Sequence, residues 1–489
     1  MEYILALDAG TSSVRTVAFD ITGRQIHISQ REIGLFYDSQ GTLCQSPREL
    51  VSQLFACIKD TLSHLRSLPL ALAITNQRES FTLLDSRGEA KFPLLSWQDR
   101  STEDLCAILI AEGAEEVSLF ENGLPIDPYF SGPKVKKVVA HSRKEAAGTH
   151  FATVDTLICS ALTDGKRLVT DPTNASRTLM FDTKKLQFSP TLIEIFDANS
   201  IVMPEIVPSF PKDLYVDTAE IPELTGIPIS AILGDQQASL IGQSGAKPGT
   251  GKVTYGTGAF VVISTGEIRV TPKARTLIST VAYSTDARSA TYALEGAAFS
   301  AGSALLWLKD KAKLINSFEE IDAIAQTVRR NTAPVFVPAF DGLGSPHLAS
   351  KTHAALYGLS QSTGKADIVF SVLEGVVNNV EDIIEELTSH LPTQLTALRV
   401  DGGLTKSSLL CQLQADSSNI EIHRSFMRES TAFGAFGAAL YSVGLSPTLE
   451  QATATNTVDE IFSPRGSRVQ NKQRRSLWND RVERTISFS

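Results

Sequence analysis

The chain has 489 residues, with 45 Lys and Arg against 54 Asp and Glu and a net charge of −9 at pH 7. With 42% apolar and 20% charged residues it is a globular composition, and at roughly 150 residues per domain it holds two to four domains. The acidic balance argues against nucleic acid or an anionic membrane surface as the main partner, and no run approaches the ~20 apolar residues needed to span a bilayer.

In chain order, residues 4–7 (ILAL) form a continuous apolar run that ends in Asp8 and a small-residue turn, Ala9 to Ser13. Residues 14–19 return as a second strand, and 20–23 supply the next turn. A buried strand ending in an Asp and a Gly/Thr/Ser loop predicts a hairpin whose tip faces a ligand. Residues 47–65 read as a helix and 71–74 as a strand, followed by a short strand at 168–170. The hairpin device recurs at 252–255, Gly256-Thr257-Gly258 and 259–264. Two such hairpins half a chain apart predict two related domains facing one another, divided in the Gly/Lys/Pro-rich segment 245–251, as 1–244 and 245–489. A long amphipathic helix is expected over 367–387, from Val369, Val372, Leu373, Val376, Val380, Ile383, Ile384 and Leu387 at helical spacing. A strand at 398–400 then leads into Asp401-Gly402-Gly403 and another helix. Residues 431–444 are small and apolar, a helix able to pack closely. After Leu445 the chain turns polar and basic (Arg474, Arg475, Arg481, Arg484) and is expected to form a surface tail. Strands alternating with helices imply α/β architecture.

The five cysteines are scattered without a CxxC pair and the eight histidines without HExxH, so neither a disulfide framework nor a zinc site is expected. The P-loop, GxGxxG and GxSxG signatures are absent. Five polar clusters remain. Around Asp8 to Arg15, small residues let backbone N–H groups approach phosphate oxygens; Thr11, Ser12 and Ser13 add hydroxyl donors, and Arg15 adds charge. Asp8 could hold Mg²⁺ directly or through water; a simple turn capped by Asp8 is the plainer alternative. Asn76 to Glu79 offers in Arg78 and Glu79 a donor fork beside an acceptor, suited to vicinal hydroxyls, although a solvated salt-bridging turn also writes this way. Tyr129 sits in an aromatic loop and could present its hydroxyl or merely pack. Asp235, after Ile232, Leu233 and an access-giving Gly234, is placed as a general base. The glycine turns at Thr257 and at Gly402-Gly403 are open enough for phosphate and adenine.

Taken as an ordered series, LDAGTSSVR (7–15), NQRES (76–80), SWQDR (96–100), DPYFSGPKV (127–135), TNASRT (173–178), GDQQASL (234–240), YGTGAF (255–260), VPAFDGLGSP (337–346) and RVDGG (399–403) resemble the FGGY carbohydrate kinases, nearest to their glycerol-phosphorylating branch. The resemblance runs from Ile4 to about Gly444. It implies an α/β fold of two actin-like, ribonuclease H-like domains flanking a central catalytic cleft, and ATP-dependent phosphorylation of glycerol to sn-glycerol 3-phosphate with Mg²⁺. By the same resemblance, Arg78, Glu79, Trp97, Tyr129, Asp235, Gln236 and Phe260 hold the polyol, with Asp235 as the base. Thr11, Ser12, Ser13, Arg15, Thr257, Gly302, Gly402, Gly403 and Ser407 meet the nucleotide, and Asp8 and Asp235 face the metal. A cytoplasmic homodimer or homotetramer without nucleic-acid or membrane partners is expected.

The chain departs from the pattern in five places. A Trp-Val-Glu-His-Asp-Pro segment is replaced by residues 42–47 (TLCQSP), and Ala-Pro-Tyr-Trp-Asp-Pro by 345–350 (SPHLAS). Leu306 and Ser407 stand for a Gln and an Asn near the nucleotide, and 219–225 lacks a regulator-binding loop. Two other readings stay open: a kinase of the same class for another small polyol or ketose, such as xylulose or erythritol, and a nucleotide-binding sensor without turnover.

Overall fold

The computed structural model describes residues 2–488 apart from 245, 329, 392, 428, 466 and 467. Of the expected dividing segment 245–251, Gly245 therefore lies outside the described residues. Two mixed sheets organise the chain. The first contains β1 (Tyr3–Ala9), β2 (Ser13–Asp20), β3 (Gln25–Glu32), β4 (Ala71–Asn76) and β5 (Ile229–Gly234), in the order β5-β4-β1-β2-β3. All seven residues of β1 are buried, as a central strand covered on both faces requires. The second sheet contains β6 (Gly251–Tyr255), β7 (Ala259–Gly266), β8 (Ile278–Ser284), β9 (Ala290–Ala298), β10 (Ala397–Asp401), β11 (Glu421–Ser425) and β12 (Val458–Phe462), in the order β8-β9-β7-β6-β10-β11-β12.

The same plan underlies both. Three antiparallel strands, β3-β2-β1 or β9-β7-β6, are followed by two parallel ones, β4-β5 or β10-β11. In each lobe the first hairpin tip and the end of the adjacent parallel strand lie at the same sheet edge, where loops gather. The expected second hairpin is thus present, two residues longer at its far end.

Helices follow the local signals. In α1 (Pro47–Leu65) the Ser46 hydroxyl accepts from the Glu49 amide and Pro47 opens the first turn. Helix α2 (Asp235–Ser244) follows β5, and its counterpart α5 (Ser430–Ser442) follows β11. These two pack on one another, and α5 also covers β1, β4 and β5 of the opposite lobe. Close approach explains the small residues there: a Cβ on Gly434 would stand 1.7 Å from the Ala238 carbonyl oxygen, and one on Gly242 2.4 Å from that of Ser430. Helix α3 (Lys365–Ser389) buries the whole expected apolar stripe, and α4 (Ser408–Ser418) packs beside it.

The expected surface tail is corrected. Val458–Phe462 adds edge strand β12, and Arg468–Ser487 forms α6, whose Arg474, Arg475 and Trp478 are buried. Arg474 bonds Glu374 (Nε–Oε2 2.9 Å) and the carbonyls of Ala333 and Pro334. Arg475 Nη2 and Trp478 Nε1 both meet Asp382, at 2.7 and 2.9 Å. Two buried acids of α3 therefore hold the basic face of α6 inward. His347, from the departing segment 345–350, joins the same Asp382 at 2.8 Å.

Candidate active site

A cavity of about 100 Å³ opens between the lobes, lined by Thr11, Gln77, Arg78, Glu79, Trp97, Tyr129, Asp235, Gln236 and Phe260. One ordered water needs roughly 10–15 Å³ on this measure, so the space suits a molecule of a few heavy atoms. All seven residues expected around a polyol are in this lining. They come from separate elements: the 77–80 loop leaves β4, Trp97 follows the short strand Leu94–Leu95, Asp235 opens α2 at the end of β5, and Phe260 stands on β7. The Trp97 and Tyr129 rings meet edge to face at 5.4 Å.

Arg78 and Glu79 are 3% and 2% exposed, which rules out a solvated turn. Glu79 takes φ of 66°, a left-handed conformation that a non-glycine residue adopts at a cost and keeps only when its surroundings fix it. Ser131 donates to its carbonyl (2.8 Å), and Arg177 Nε reaches its Oε1 at 2.6 Å. Arg78 gives Nη1 and Nη2 to Glu295, at 2.7 and 3.0 Å, and places Nε 3.2 Å from Asp235 Oδ1. Nη1 also reaches Gln237 Oε1 at 3.3 Å. Three of the five guanidinium protons are in these hydrogen bonds, Nε faces Asp235 as an ion pair, and one proton on Nη2 is left over.

Desolvation in the cleft pushes Asp235 above the usual carboxylate range, with Arg78 and Lys252 opposing and Asp8 reinforcing the rise. Burial likewise raises Glu79 against the pull of Arg177 and Arg78. Burial acts on Glu295 too, but Arg177 and Arg78 outweigh it and bring this carboxyl down to about 2. Tyr129 is raised well above its ordinary value by burial, so its hydroxyl keeps its proton.

At the first hairpin tip, Gln45 Nε2 donates to the Thr11 carbonyl (2.7 Å) and Gln77 Nε2 donates to Gln45 Oε1 (2.7 Å). The Thr11 hydroxyl donates to Gln77 Oε1 and accepts from Trp97 Nε1, at 3.1 and 2.8 Å. Ser12 is exposed and Ser13 partly so. Arg15 pairs with Asp8 at 2.6 Å and also with Glu429 just ahead of α5, so its charge is already shared between two carboxylates. At the second tip Thr257 is exposed, and its carbonyl accepts from Ala301 and Ser303, both at 3.0 Å. Gly302 donates to the Gly256 carbonyl at 2.9 Å. Gly402, at φ 94°, passes so near Tyr255 that a Cβ would stand 2.2 Å from its carbonyl oxygen, whereas Gly403 faces open space. Ser407 instead caps α4, accepting from the Leu410 amide at 3.0 Å and donating to Asp322.

Asp8 and Asp235 are two carboxylates raised by burial, and Asp8 lies near enough for its charge to add to the rise at Asp235. That donor set fits Mg²⁺, which takes one or two carboxylates and fills its shell with phosphate and water oxygens. No group of three or more His, Cys, Asp or Glu suited to a metal occurs among the described residues, so an ion here must arrive with ligands of its own.

Four contributors were not foreseen: Gln45, Arg177, Lys252 and Glu295. A lone charge inside an apolar strand was the available signal for Lys252 and Glu295. Arg177 lay within TNASRT, and Gln45 within one of the departing segments.

Family models for the FGGY family of carbohydrate kinases match residues 3–242 (N-terminal domain) and 251–443 (C-terminal domain). A glycerol kinase of Oceanobacillus iheyensis is 35% identical over 498 residues, covering 100% of this chain and 99% of that protein. One from Xanthomonas campestris pv. campestris is 34% identical over 499 residues, at the same coverage. A crystal structure of Plasmodium falciparum glycerol kinase with ADP superposes with a TM-score of 0.94 at 30% identity, covering 99% of this chain and 98% of that one. The chain belongs to the FGGY family of carbohydrate kinases. It is a phosphotransferase built of two actin-like, ribonuclease H-like domains. A ligand-bound xylulose kinase from Lactobacillus acidophilus shares the fold at a TM-score of 0.90 and 19% identity. Among the described residues, no helix is long and apolar enough to cross a membrane.

Proposed function

We propose that this enzyme transfers the γ-phosphoryl group of ATP to a terminal hydroxyl of glycerol, giving sn-glycerol 3-phosphate. The small cavity supports this reading: Arg78, Glu79 and Asp235 line a space of about 100 Å³ together with the rings of Trp97 and Phe260, which would pack the carbon chain. The free Nη2 proton of Arg78 donates to one hydroxyl, and Glu79 Oε2, not taken by Arg177, accepts from another. Asp235 takes the proton of the third hydroxyl as that oxygen attacks phosphorus, a task helped by its raised affinity for protons. Arg15, with the hydroxyls of Thr11, Ser12, Ser13 and Thr257, faces the transferring phosphates, while Gly302, Gly402 and Gly403 leave room for the nucleotide. Mg²⁺, held by Asp8 and Asp235, would neutralise charge on the phosphate oxygens. Closure over the cavity excludes water, which competes as acceptor.

We place the boundary between the two domains at residues 244 and 245. None of residues 345–350 lines the cavity, so that departure supplies no ground for a larger sugar. A coupled ADP-release assay over glycerol, erythritol, xylulose, ribulose and gluconate tests the substrate: glycerol is expected to be fastest, and a faster ketopentose overturns the assignment. Asp235→Asn is expected to bind glycerol yet lose at least about a thousandfold in kcat; undiminished turnover refutes its role as base.

A further inference from the structure

The polyol site is built almost wholly from the N-terminal lobe, yet its central cation is gripped from the other lobe. Glu295 stands on β9, directly across from Val262 of β7, while Phe260, two residues earlier on β7, lies across from Ala297. Residues two apart in a strand share a face, and so do directly opposed pairs. Glu295 therefore projects from the same face that gives Phe260 to the cavity. Lys252 of β6 is opposed to Val262 from the other side and continues the row, donating to Gln236 Oε1 at 2.6 Å.

We infer that Glu295 is a positioning residue for the acceptor substrate, holding the Arg78 guanidinium from across the cleft in the orientation that leaves Asp235 and Glu79 free for hydroxyls. The inference rests on the proposed kinase reaction at this cavity. Glu295 engages both terminal nitrogens of Arg78, so that only Nε is turned to Asp235. Arg177 completes a closed set, bonding Glu79 Oε1 and Glu295 Oε1 (3.2 Å) while its guanidinium lies over the Tyr129 and Phe130 rings. Two cations and two anions, all at most 3% exposed, balance among themselves. With Glu295 neutral, Arg78 retains a buried charge whose nearest remaining carboxylates are Asp235 at 3.2 Å and Glu79 at 3.9 Å, Gln237 offering only a neutral oxygen. A fork–fork pair with Asp235 is then the favoured geometry, and it occupies the oxygens that the substrate hydroxyl needs.

The test uses the full-length enzyme and whichever acceptor the wild type phosphorylates fastest in the screen above. Failure of the glycerol reading then shows in the wild type, and failure of this inference shows in the ratio of variant to wild type. Glu295→Gln is expected to raise KM for the acceptor at least about tenfold, as loss of a charge-assisted pair implies, with KM for ATP within about twofold of wild type. Glu295→Asp, which keeps the charge one methylene shorter, is expected to lie between. An unchanged acceptor KM in Glu295→Gln, or an equal rise in both KM values, overturns the inference. Should the Gln variant fail to fold, Glu295→Asp decides by the same split: a raised acceptor KM alone supports the role, and two unmoved KM values refute it.

Discussion

The two hairpin tips that face the cleft occupy equivalent places in equivalent sheets, yet they are held by different means. The first, between β1 and β2, is tied by side chains: Gln45, Gln77 and Trp97 around Thr11, with Arg15 bridging Asp8 and Glu429. The second, between β6 and β7, is tied among the described residues by backbone alone, with Ala301, Gly302 and Ser303 donating to the carbonyls of Gly256 and Thr257. In the proposed reaction both tips face the transferring phosphates, but Thr11 of the first also lines the acceptor cavity, where replaceable side chains suit a particular small molecule. Residues 256–258 of the second are not in that lining, and close backbone approach suits phosphate, which is the same in every nucleotide.

The difference predicts how each tip breaks. At the second, a single methyl group is the most damaging change. Gly402→Ala puts a Cβ 2.2 Å from the Tyr255 carbonyl oxygen at φ 94°, and overpacking with a strained backbone costs about 1–3 kcal/mol each. A fall of about a hundredfold or more in kcat/KM for ATP is expected, with KM for the acceptor nearly unmoved. A variant that loses acceptor affinity instead would show that the second tip serves the acceptor as well as the nucleotide.

At the first tip the loss is graded. Gln45→Ala removes one donor and one acceptor, leaving the Thr11 carbonyl unpartnered and Gln77 Nε2 with only the Gly10 carbonyl at 3.1 Å, at about 1–2 kcal/mol. Turnover is expected to fall about tenfold, and acceptor KM to rise with it, because Gln77 and Thr11 both line the cavity. A variant with wild-type constants would show that Thr11 is held well enough by Trp97 and Gln77.

How much of this was readable beforehand depends on where each signal's partner lies. Helix α1 announced itself because Ser46, Pro47 and the apolar spacing are local, and it runs from Pro47 to Leu65 as expected. Both hairpins were legible because a continuous apolar run meeting Gly and Thr is local too. Helix α6 was not, because its inward face is Arg474, Arg475 and Trp478, a pattern that describes a solvated surface until Glu374 and Asp382 are known to be buried opposite. Glu295 was invisible as a partner of Arg78 for the same reason: 217 residues separate them. The cavity-lining residues emerged through motif order, whereas the groups that orient them lie far off in the chain and show themselves only in three dimensions.

Behind the tips the lobes differ again, and pH should separate them. The hydrogen-bonded chain through Thr11 behind the first tip consists of neutral amides, an indole and a hydroxyl, and its ionised support is the pairing of Arg15 with Asp8 and Glu429. Behind the second, the Tyr255 hydroxyl donates to Gln414 Oε1 (2.6 Å), and Gln414 Nε2 donates to Glu381 (2.9 Å), which also takes the Ser418 hydroxyl. Burial pushes Glu381 up to about 8; Ser418 and Arg475 oppose the rise, and Glu385 and Asp382 add to it. An unfolded Glu titrates near 4.3. Between these values the native state holds a proton that the unfolded state has lost, so the contribution to stability is complete below about pH 4 and declines as pH rises towards 8. Glu381→Gln removes the titration and keeps an acceptor for the Gln414 amide. Relative to wild type it is expected to gain on the order of 1 kcal/mol or more in unfolding free energy between pH 5 and pH 8, while turnover at pH 7 changes least of the three variants. Denaturant unfolding of both proteins at the two pH values measures this directly. Parallel stability curves would mean that Glu381 is ionised in the fold, with Arg475 as its counter-charge, and that the second tip rests on a network as insensitive to pH as the chain of contacts through Thr11.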